Sequence, residues 1–287
     1  MNPLVDNFLC ACGYRSGGNM SRVVVVTGGT RGIGLGLAKS FLDKGCKVVI
    51  CGRSEGSVQG ALEELSALGD VHGLPCDVTD PDQVQALWDG AVERFGRVDI
   101  WINNAGVMHA LVDFIDGSTE EIRQVVDVNL LGTLYGTHVA MRGMRDQEGG
   151  GAVYVMEGLG SDGKTRALHT LYGTSKVAVR YLFKALVDEA ADTPVRIGSI
   201  SPGIVVTDLL TAVYEDRPVE EFDRVKKIFN ILADRVDTVA PWIVEQVLEA
   251  KNNGATITWL TGFTAFGRFM TAPFNKRDLF SDADMVQ

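Results

Sequence analysis

The chain alternates short, unbroken apolar runs with longer stretches in which apolar residues recur every three or four positions. The clearest run is Val23-Val24-Val25-Val26, whose lack of polar alternation fits a parallel-sheet strand covered on both faces. Further strands are predicted at 47–51, 71–75, 98–102, 152–156, 195–200 and 255–258. Between them the period becomes helical. Leu35, Leu37, Ala38, Phe41 and Leu42 mark one helix that ends at Lys44-Gly45. Val84, Leu87, Trp88 and Val92 mark another, opened by Asp80-Pro81, a cap followed by proline at the first helical position. Residues 119–144 read as one long helix through Ile122, Val125, Val126, Val128, Leu130, Leu134 and Val139, and 172–190 as a further one. This alternation predicts an α/β fold, a doubly wound parallel sheet in a single domain, with ligands at the carboxyl ends of the strands.

The first strand turns straight into a helix through Thr27-Gly28-Gly29-Thr30-Arg31-Gly32-Ile33-Gly34. Glycines at 28, 32 and 34 allow a tight turn and a close approach to a pyrophosphate, whose charge sits on the unpaired N–H groups of the helix. A glycine cluster alone also makes ordinary turns. The strand before it, the helix after it and the second strand from Lys47 make it a Rossmann-type nucleotide site.

With 287 residues, 46% of them apolar, the chain has enough material for one sizeable core. A net charge of −10 and the lack of a dense basic cluster argue against nucleic acid as a partner. Cys10, Cys12, Cys46, Cys51 and Cys76 match no metal framework in their spacing, so reduced thiols and no metal are expected. Residues 1–20 lack the charged start and apolar block of a secretory signal and read as a flexible tail ahead of a domain over 21–287. No segment has the length and apolarity to span a bilayer.

Tyr172 and Lys176 stand four residues apart, hence on one face of the same helix. A phenol titrates near ~10, and a neighbouring cation lowers that value towards useful acid–base work. The spacing alone is common, and other features join it. Asn103-Asn104-Ala105-Gly106 and Asp77-Val78 each follow a predicted strand, and Asn129 lies inside an apolar helix where an amide needs a reason. Ser201-Pro202-Gly203-Ile204-Val205-Val206-Thr207 follows the sixth strand. Singly, the asparagines at 103 and 104 read as turn formers, Asp77 as a cap, Asn129 as a patch on helix backbone, and Thr207 as a helix start.

Together with the glycine loop, and in this order, these motifs resemble the classical short-chain dehydrogenase/reductase family over roughly residues 22–210. The resemblance implies that Gly28, Thr30, Arg31, Gly32, Ile33 and Gly34 line the pyrophosphate and ribose of a nicotinamide cofactor, with Asp77 and Val78 at the adenine. It implies that Asn104, Ala105 and Gly106 support the cofactor, that Tyr172 exchanges the proton, and that Lys176 holds the nicotinamide ribose and tunes the phenol. Asn129 completes a water relay to Lys176 in that scheme, and Pro202, Gly203 and Thr207 pack along the nicotinamide. A homodimer or homotetramer built on helices around 119–144 and 172–190 is also implied.

Arg53 stands where an NAD-preferring enzyme is expected to carry an acid, and Arg31 supplies a second guanidinium nearby. Two planar donors suit a 2′-phosphate, so NADPH is expected, with Glu55 leaving NAD(H) as the alternative. The family's fifth-strand serine is missing: Met156-Glu157-Gly158 puts that position on Gly158 or Glu157, and neither donates a hydrogen bond. Ser161 is the nearest substitute. The loop from Met156 to Gly163 resembles that of the chlorophyll b reductases, a subgroup that reduces a formyl group on a tetrapyrrole, and the likeness extends through 172–210 and 227–274.

A substrate lid is expected around 208–235, with Leu209, Leu210, Val213, Phe222, Ile228 and Phe229 as its apolar face, followed by a C-terminal apolar segment over 256–274. There Trp259, Phe263, Phe266 and Met270 form one helical stripe, expected to pack on the core; a peripheral membrane contact or a large apolar pocket is the alternative. The expected activity is NADPH-dependent reduction of the carbonyl of a bulky, mainly apolar small molecule, in the cytoplasm or a plastid and not outside the cell. The competing class is a nucleotide-binding regulator or scaffold without turnover, suggested by the missing serine and opposed by the joint presence of Asn129, Tyr172 and Lys176.

Overall fold

The computed structural model describes residues 21–214 and 217–280, so the tail expected over 1–20, with Cys10 and Cys12, lies outside the described residues. The chain runs β1 (Val23–Val26), α1 (Gly32–Asp43), β2 (Lys47–Gly52), α2 (Glu55–Leu65), β3 (Val71–Pro75), α3 (Pro81–Phe95) and β4 (Ile100–Asn103). It continues with α4 (Thr119–Val126), α5 (Gly132–Asp146), β5 (Gly151–Met156), α6 (Thr170–Glu189) and β6 (Val195–Ser201). Then come β7 (Val205–Val206), α7 (Asp208–Thr211), α8 (Val219–Leu232), β8 (Asp234–Arg235), α9 (Val236–Glu249), β9 (Ala255–Thr258) and α10 (Gly262–Thr271).

Seven strands form one sheet in the order β3-β2-β1-β4-β5-β6-β9, every pairing parallel. The strand order reverses between β1 and β4, which opens a crevice at their carboxyl ends. The valine run explains itself here. Val24 and Val26 pack with α1 and α9 through Leu37, Phe41, Ile243 and Val244, whereas Val25 packs with α3, α5 and α6 through Trp88, Met144 and Phe183. Each fully buried side chain of this kind contributes about 1.5–3 kcal/mol. Both faces of the strand are therefore apolar.

The helix predicted over 119–144 is corrected by the structure. A π-helical turn, Asp127–Leu131, separates α4 from α5. The wider turn carries Asn129 wholly inside, and Thr133 Oγ1 donates back to the Asn129 carbonyl at 2.8 Å. Simple apolar periodicity does not reveal one inserted residue. The small β7–β8 sheet also has no counterpart in the sequence reading, because two-residue strands carry no period.

Of the apolar residues expected at 208–235, Leu210, Phe222 and Phe229 join one cluster with Leu279 and Phe280, while Leu209 and Ile228 remain exposed. The C-terminal stripe is corrected too. Trp259 follows β9, packs T-shaped on Trp242 at 5.2 Å and donates its indole N–H to Asp234 at 2.6 Å, whereas Phe263, Phe266 and Met270 are exposed on α10. The cause is a polar anchor: Arg268 Nη1 donates to Asp234 Oδ2 at 2.7 Å. At ~100° per residue, positions 263, 266 and 270 lie about 140–160° around the helix from 268 and so point outward.

Asp234 is buried and also accepts from Arg277 Nη2 at 2.6 Å, so one carboxylate holds three C-terminal side chains. Its replacement leaves two half-buried guanidinium groups without a counter-charge. Asp234→Asn is expected to cost about 3 kcal/mol, seen as a lower Tm in thermal unfolding, while Leu209→Ala stays within about 0.5 kcal/mol. Equal Tm values for the two variants would remove Asp234 from this role.

Candidate active site

The floor of the crevice is built by a clamp between the end of β1 and the end of β4. Thr27 Oγ1 accepts from the backbone N–H groups of Asn104 and Ala105 at 3.0 and 3.1 Å. In return Asn104 Nδ2 donates to the carbonyls of Thr27 and Gly28 at 2.9 and 3.2 Å. Gly28 has φ +62°, and a Cβ there would press on the Ala105 Cα at 2.9 Å. A Cβ at Gly34 would lie 2.2 Å from the Gly28 carbonyl, so the loop closes only with glycine. Gly29 N–H donates to the Cys51 carbonyl at 3.0 Å, which ties the loop to β2.

This geometry fits a pyrophosphate. The N-cap of α1, Arg31, makes no side-chain cap bond, and the first turn holds no acid. Gly32, Ile33 and Gly34 open the helix, whose early N–H groups and positive end are thus available to an anion. Thr30 abuts Gly52 at the end of β2, Arg31 and Arg53 are exposed beyond it, and Thr207 lies beside Gly32. Pro202 is buried, and Gly203 turns with φ +74° beside Leu260. Val78 is buried, and Asp77 Oδ1 accepts from Thr79 N–H and Oγ1 at 3.0 and 2.8 Å; the cap of α3 is Asp80. Asn103 is no turn former: it is buried, accepts from Trp101 Nε1 at 3.0 Å and donates to Thr137 Oγ1 at 3.0 Å.

The π-helical turn and α6 supply the opposite wall. Asn129 Oδ1 accepts from Val107 N–H at 2.8 Å, and its Nδ2 donates to the Val107 carbonyl at 3.0 Å and to Ser175 Oγ at 3.2 Å. Ser175 Oγ donates to the Tyr172 carbonyl at 2.7 Å, so Asn129 pins the segment after β4 to the first turn of α6. A Cβ placed on Gly106 would be 3.3 Å from Asn129 Oδ1 and 3.8 Å from Lys176 Nζ, which puts Gly106 between the two. Thr27 and Ser175 escaped the sequence reading. Their signal was weak: one hydroxyl at a strand end and one inside the Tyr172–Lys176 spacing.

Tyr172 and Lys176 are both buried, with Nζ 5.6 Å from the phenol ring centroid and donating to the Met156 carbonyl at 3.1 Å. Burial lowers the Lys176 pKa to about 8, opposed by the nearby Glu157 carboxylate. Burial also raises Tyr172 to about 12, which corrects the expected lowering by the ammonium. Nζ directs one of its three N–H groups to Met156, and desolvation of the phenolate prevails. At neutral pH the group is a neutral phenol, a proton donor.

At the end of β5, a Cβ on Gly158 would meet Tyr172 Oη at 2.5 Å. The phenol thus fills the space a side chain would need. Glu157 is buried, and its Oε2 accepts from Arg180 Nη1 at 2.9 Å and from Ser161 Oγ at 3.0 Å; its Oε1 has no hydrogen-bond partner among the described residues. The Ser161 hydroxyl is therefore committed to Glu157 rather than offered as a substitute donor. Arg180 was missed, although it continues the face of α6 that carries Tyr172 and Lys176.

Residues 22–218 match the short chain dehydrogenase family, and the chain belongs to it. It is 36% identical over 258 residues to the probable chlorophyll(ide) b reductase NYC1, chloroplastic, of Oryza sativa subsp. japonica, covering 84% of this chain and 50% of that protein. It is 35% identical to the chlorophyll(ide) b reductase NOL, chloroplastic, of the same species, covering 86% and 74% respectively. The chain thus spans about half the length of its NYC1 relatives. A crystal structure of a variant actinorhodin polyketide ketoreductase with NADPH superposes with a TM-score of 0.74 at 28% identity, covering 83% of this chain and 96% of that one.

Thr27→Val keeps shape but takes the acceptor from the Ala105 N–H, while the Asn104 N–H keeps only the Ile102 carbonyl. A loss of about 2 kcal/mol in chemical denaturation is expected, with weaker nucleotide binding by calorimetry. Wild-type values in both would mean that the clamp does not organise the glycine loop.

Proposed function

We propose that the protein is an NADPH-dependent reductase of a carbonyl group on a bulky, mainly apolar molecule, such as the formyl group of a chlorophyll b-like tetrapyrrole. The observation that carries this reading is the neutral Tyr172 phenol held over Gly158 beside Lys176, on the wall opposite the glycine loop. The uncapped start of α1 and the glycine cradle support a dinucleotide there, with Gly28, Thr30, Arg31, Gly32, Ile33, Gly34, Asn104, Ala105, Gly106, Pro202, Gly203 and Thr207 around it and Asp77 and Val78 at the adenine. Arg31 and Arg53 suit a 2′-phosphate, and the ketoreductase with NADPH supports the same choice over NADH. When bound, the nicotinamide supplies the hydride.

The chain's own residues supply the proton. Tyr172 hydrogen-bonds the substrate oxygen and gives up its proton as that oxygen becomes a hydroxyl. Lys176, charged below about 8, stabilises the phenolate left behind, and the Glu157 carboxylate helps it keep that charge. Gly158 adds no second donor, so substrate placement falls to contacts away from the reacting carbon, which the 208–235 lid would make. Such a site favours large substrates. The chlorophyll(ide) b reductase relatives support a formyl tetrapyrrole, their chloroplastic names support the plastid, and a homo-oligomer remains part of the proposal.

NADPH oxidation followed across a size series of aldehydes tests this directly. Bulky conjugated aldehydes are expected to turn over at least tenfold faster than small ones, and Tyr172→Phe to lose about 10²-fold or more in kcat while still binding NADPH. Turnover of Tyr172→Phe at the wild-type rate would refute the acid–base role, and the absence of any turnover would favour the regulator class.

Reduction needs protons on both Tyr172 and Lys176. Since these hold to about 12 and about 8, kcat/KM for reduction is expected to be level at lower pH and to fall above about 8. Glu157→Gln removes the carboxylate that raises Lys176 and should move the fall to lower pH. A fall that stays in place in Glu157→Gln would assign it to another group.

A further inference from the structure

We propose that α10 is a docking helix that seats the domain on a bilayer surface bearing anionic headgroups. Phe263, Phe266, Phe269, Met270 and Phe274 are 88, 64, 49, 63 and 92% exposed. Four of them, at 263, 266, 270 and 274, follow a spacing of three, four and four, one apolar row along the helix and the turn after it. Isolated exposed apolar residues are ordinary, but a contiguous aromatic row is not.

Charge identifies the partner. The chain carries 37 acidic and 27 basic side chains, yet residues 250–277 hold Lys251, Arg268, Lys276 and Arg277 and no acid. Beside the apolar row lies a cavity of about 200 Å³, lined by Asn230, Arg268, Thr271, Asn275 and Arg277. Among the described residues, its two guanidinium groups share the single Asp234 carboxylate. Lys276 is exposed at its edge. Aromatic residues on one side and cationic, amide-rich donors next to them match a helix lying in the headgroup region of a membrane.

The placement has a use that rests on the proposed apolar substrate. α10 starts at the carboxyl edge of the sheet, where Leu260 rests on Gly203, so a lipid-dissolved carbonyl compound would reach the site without crossing water. Docking itself is measured separately from turnover.

The test is flotation of the full chain with vesicles of phosphatidylcholine alone or mixed with phosphatidylglycerol. Wild type is expected to float with the mixed vesicles at least tenfold more than with the neutral ones, and to be released by high salt. The variant Phe263→Ser/Phe266→Ser/Phe274→Ser should lose at least tenfold with an unchanged circular dichroism spectrum. Lys276→Glu alone, an exposed single change, should lose several-fold. Wild type that binds neither vesicle, or a triple variant that binds as well as wild type, overturns the proposal. So does a triple variant whose only change is dissociation of an oligomer, since that assigns the face to self-association. Flotation that persists in a protein inactive on bulky aldehydes leaves docking standing and refutes the substrate.

Discussion

The amide of Asn129 joins the segment after β4 to the start of α6, and the geometry of the candidate site follows from that junction. Its oxygen and its nitrogen are both engaged, by both backbone polar groups of Val107 and by Ser175. Without it, both half-buried backbone groups of Val107 would lose their partner, at about 1 kcal/mol each. The π-helical turn is the means of bringing an amide inward there, for an uninterrupted helix would place the following residues on a different azimuth. Lys176 and Gly106 are neighbours because of this link, and through Ser175 the Tyr172 turn is held as well.

Burial rather than pairing decides the protonation states around that junction. It costs the charged forms of Tyr172 and Lys176 about 3 kcal/mol each. Arg180 and Ser161 share one oxygen of Glu157, and the Glu157 carboxylate offsets part of the cost at Lys176. A neutral phenol, a cation held near the edge of its range and a fixed carboxylate together favour giving a proton over taking one. Gly158 belongs to the same arrangement, since the phenol occupies the volume of an absent side chain.

Asp234 does for the C-terminal region what Asn129 does for the crevice. It gathers Trp259, Arg268 and Arg277, and Arg268 turns one side of α10 inward so that the phenylalanines face out. The Asp234 backbone N–H also donates to the Ile204 carbonyl at 3.0 Å, which ties this junction to the segment after β6. Leu279 and Phe280 fold back onto Phe229 in the same region, which closes the third apolar cluster over α8.

Features carried by local spacing were legible in the sequence. The valine run announced a strand covered on both faces, the glycine loop announced its turn into α1, and the four-residue step from Tyr172 to Lys176 announced a shared helical face, because each depends only on backbone period and sterics. The order of these motifs carried the family. What tertiary structure decided depends on partners distant along the chain: the clamp of Thr27 by residues 104 and 105, the capture of Ser161 by Glu157 and Arg180, and the upward shift of Tyr172. The outward face of α10 is the plainest case. Its apolar spacing is the same whether it packs on the core or faces outward, and only the anchoring of Arg268 on a buried aspartate 34 residues earlier selects between them.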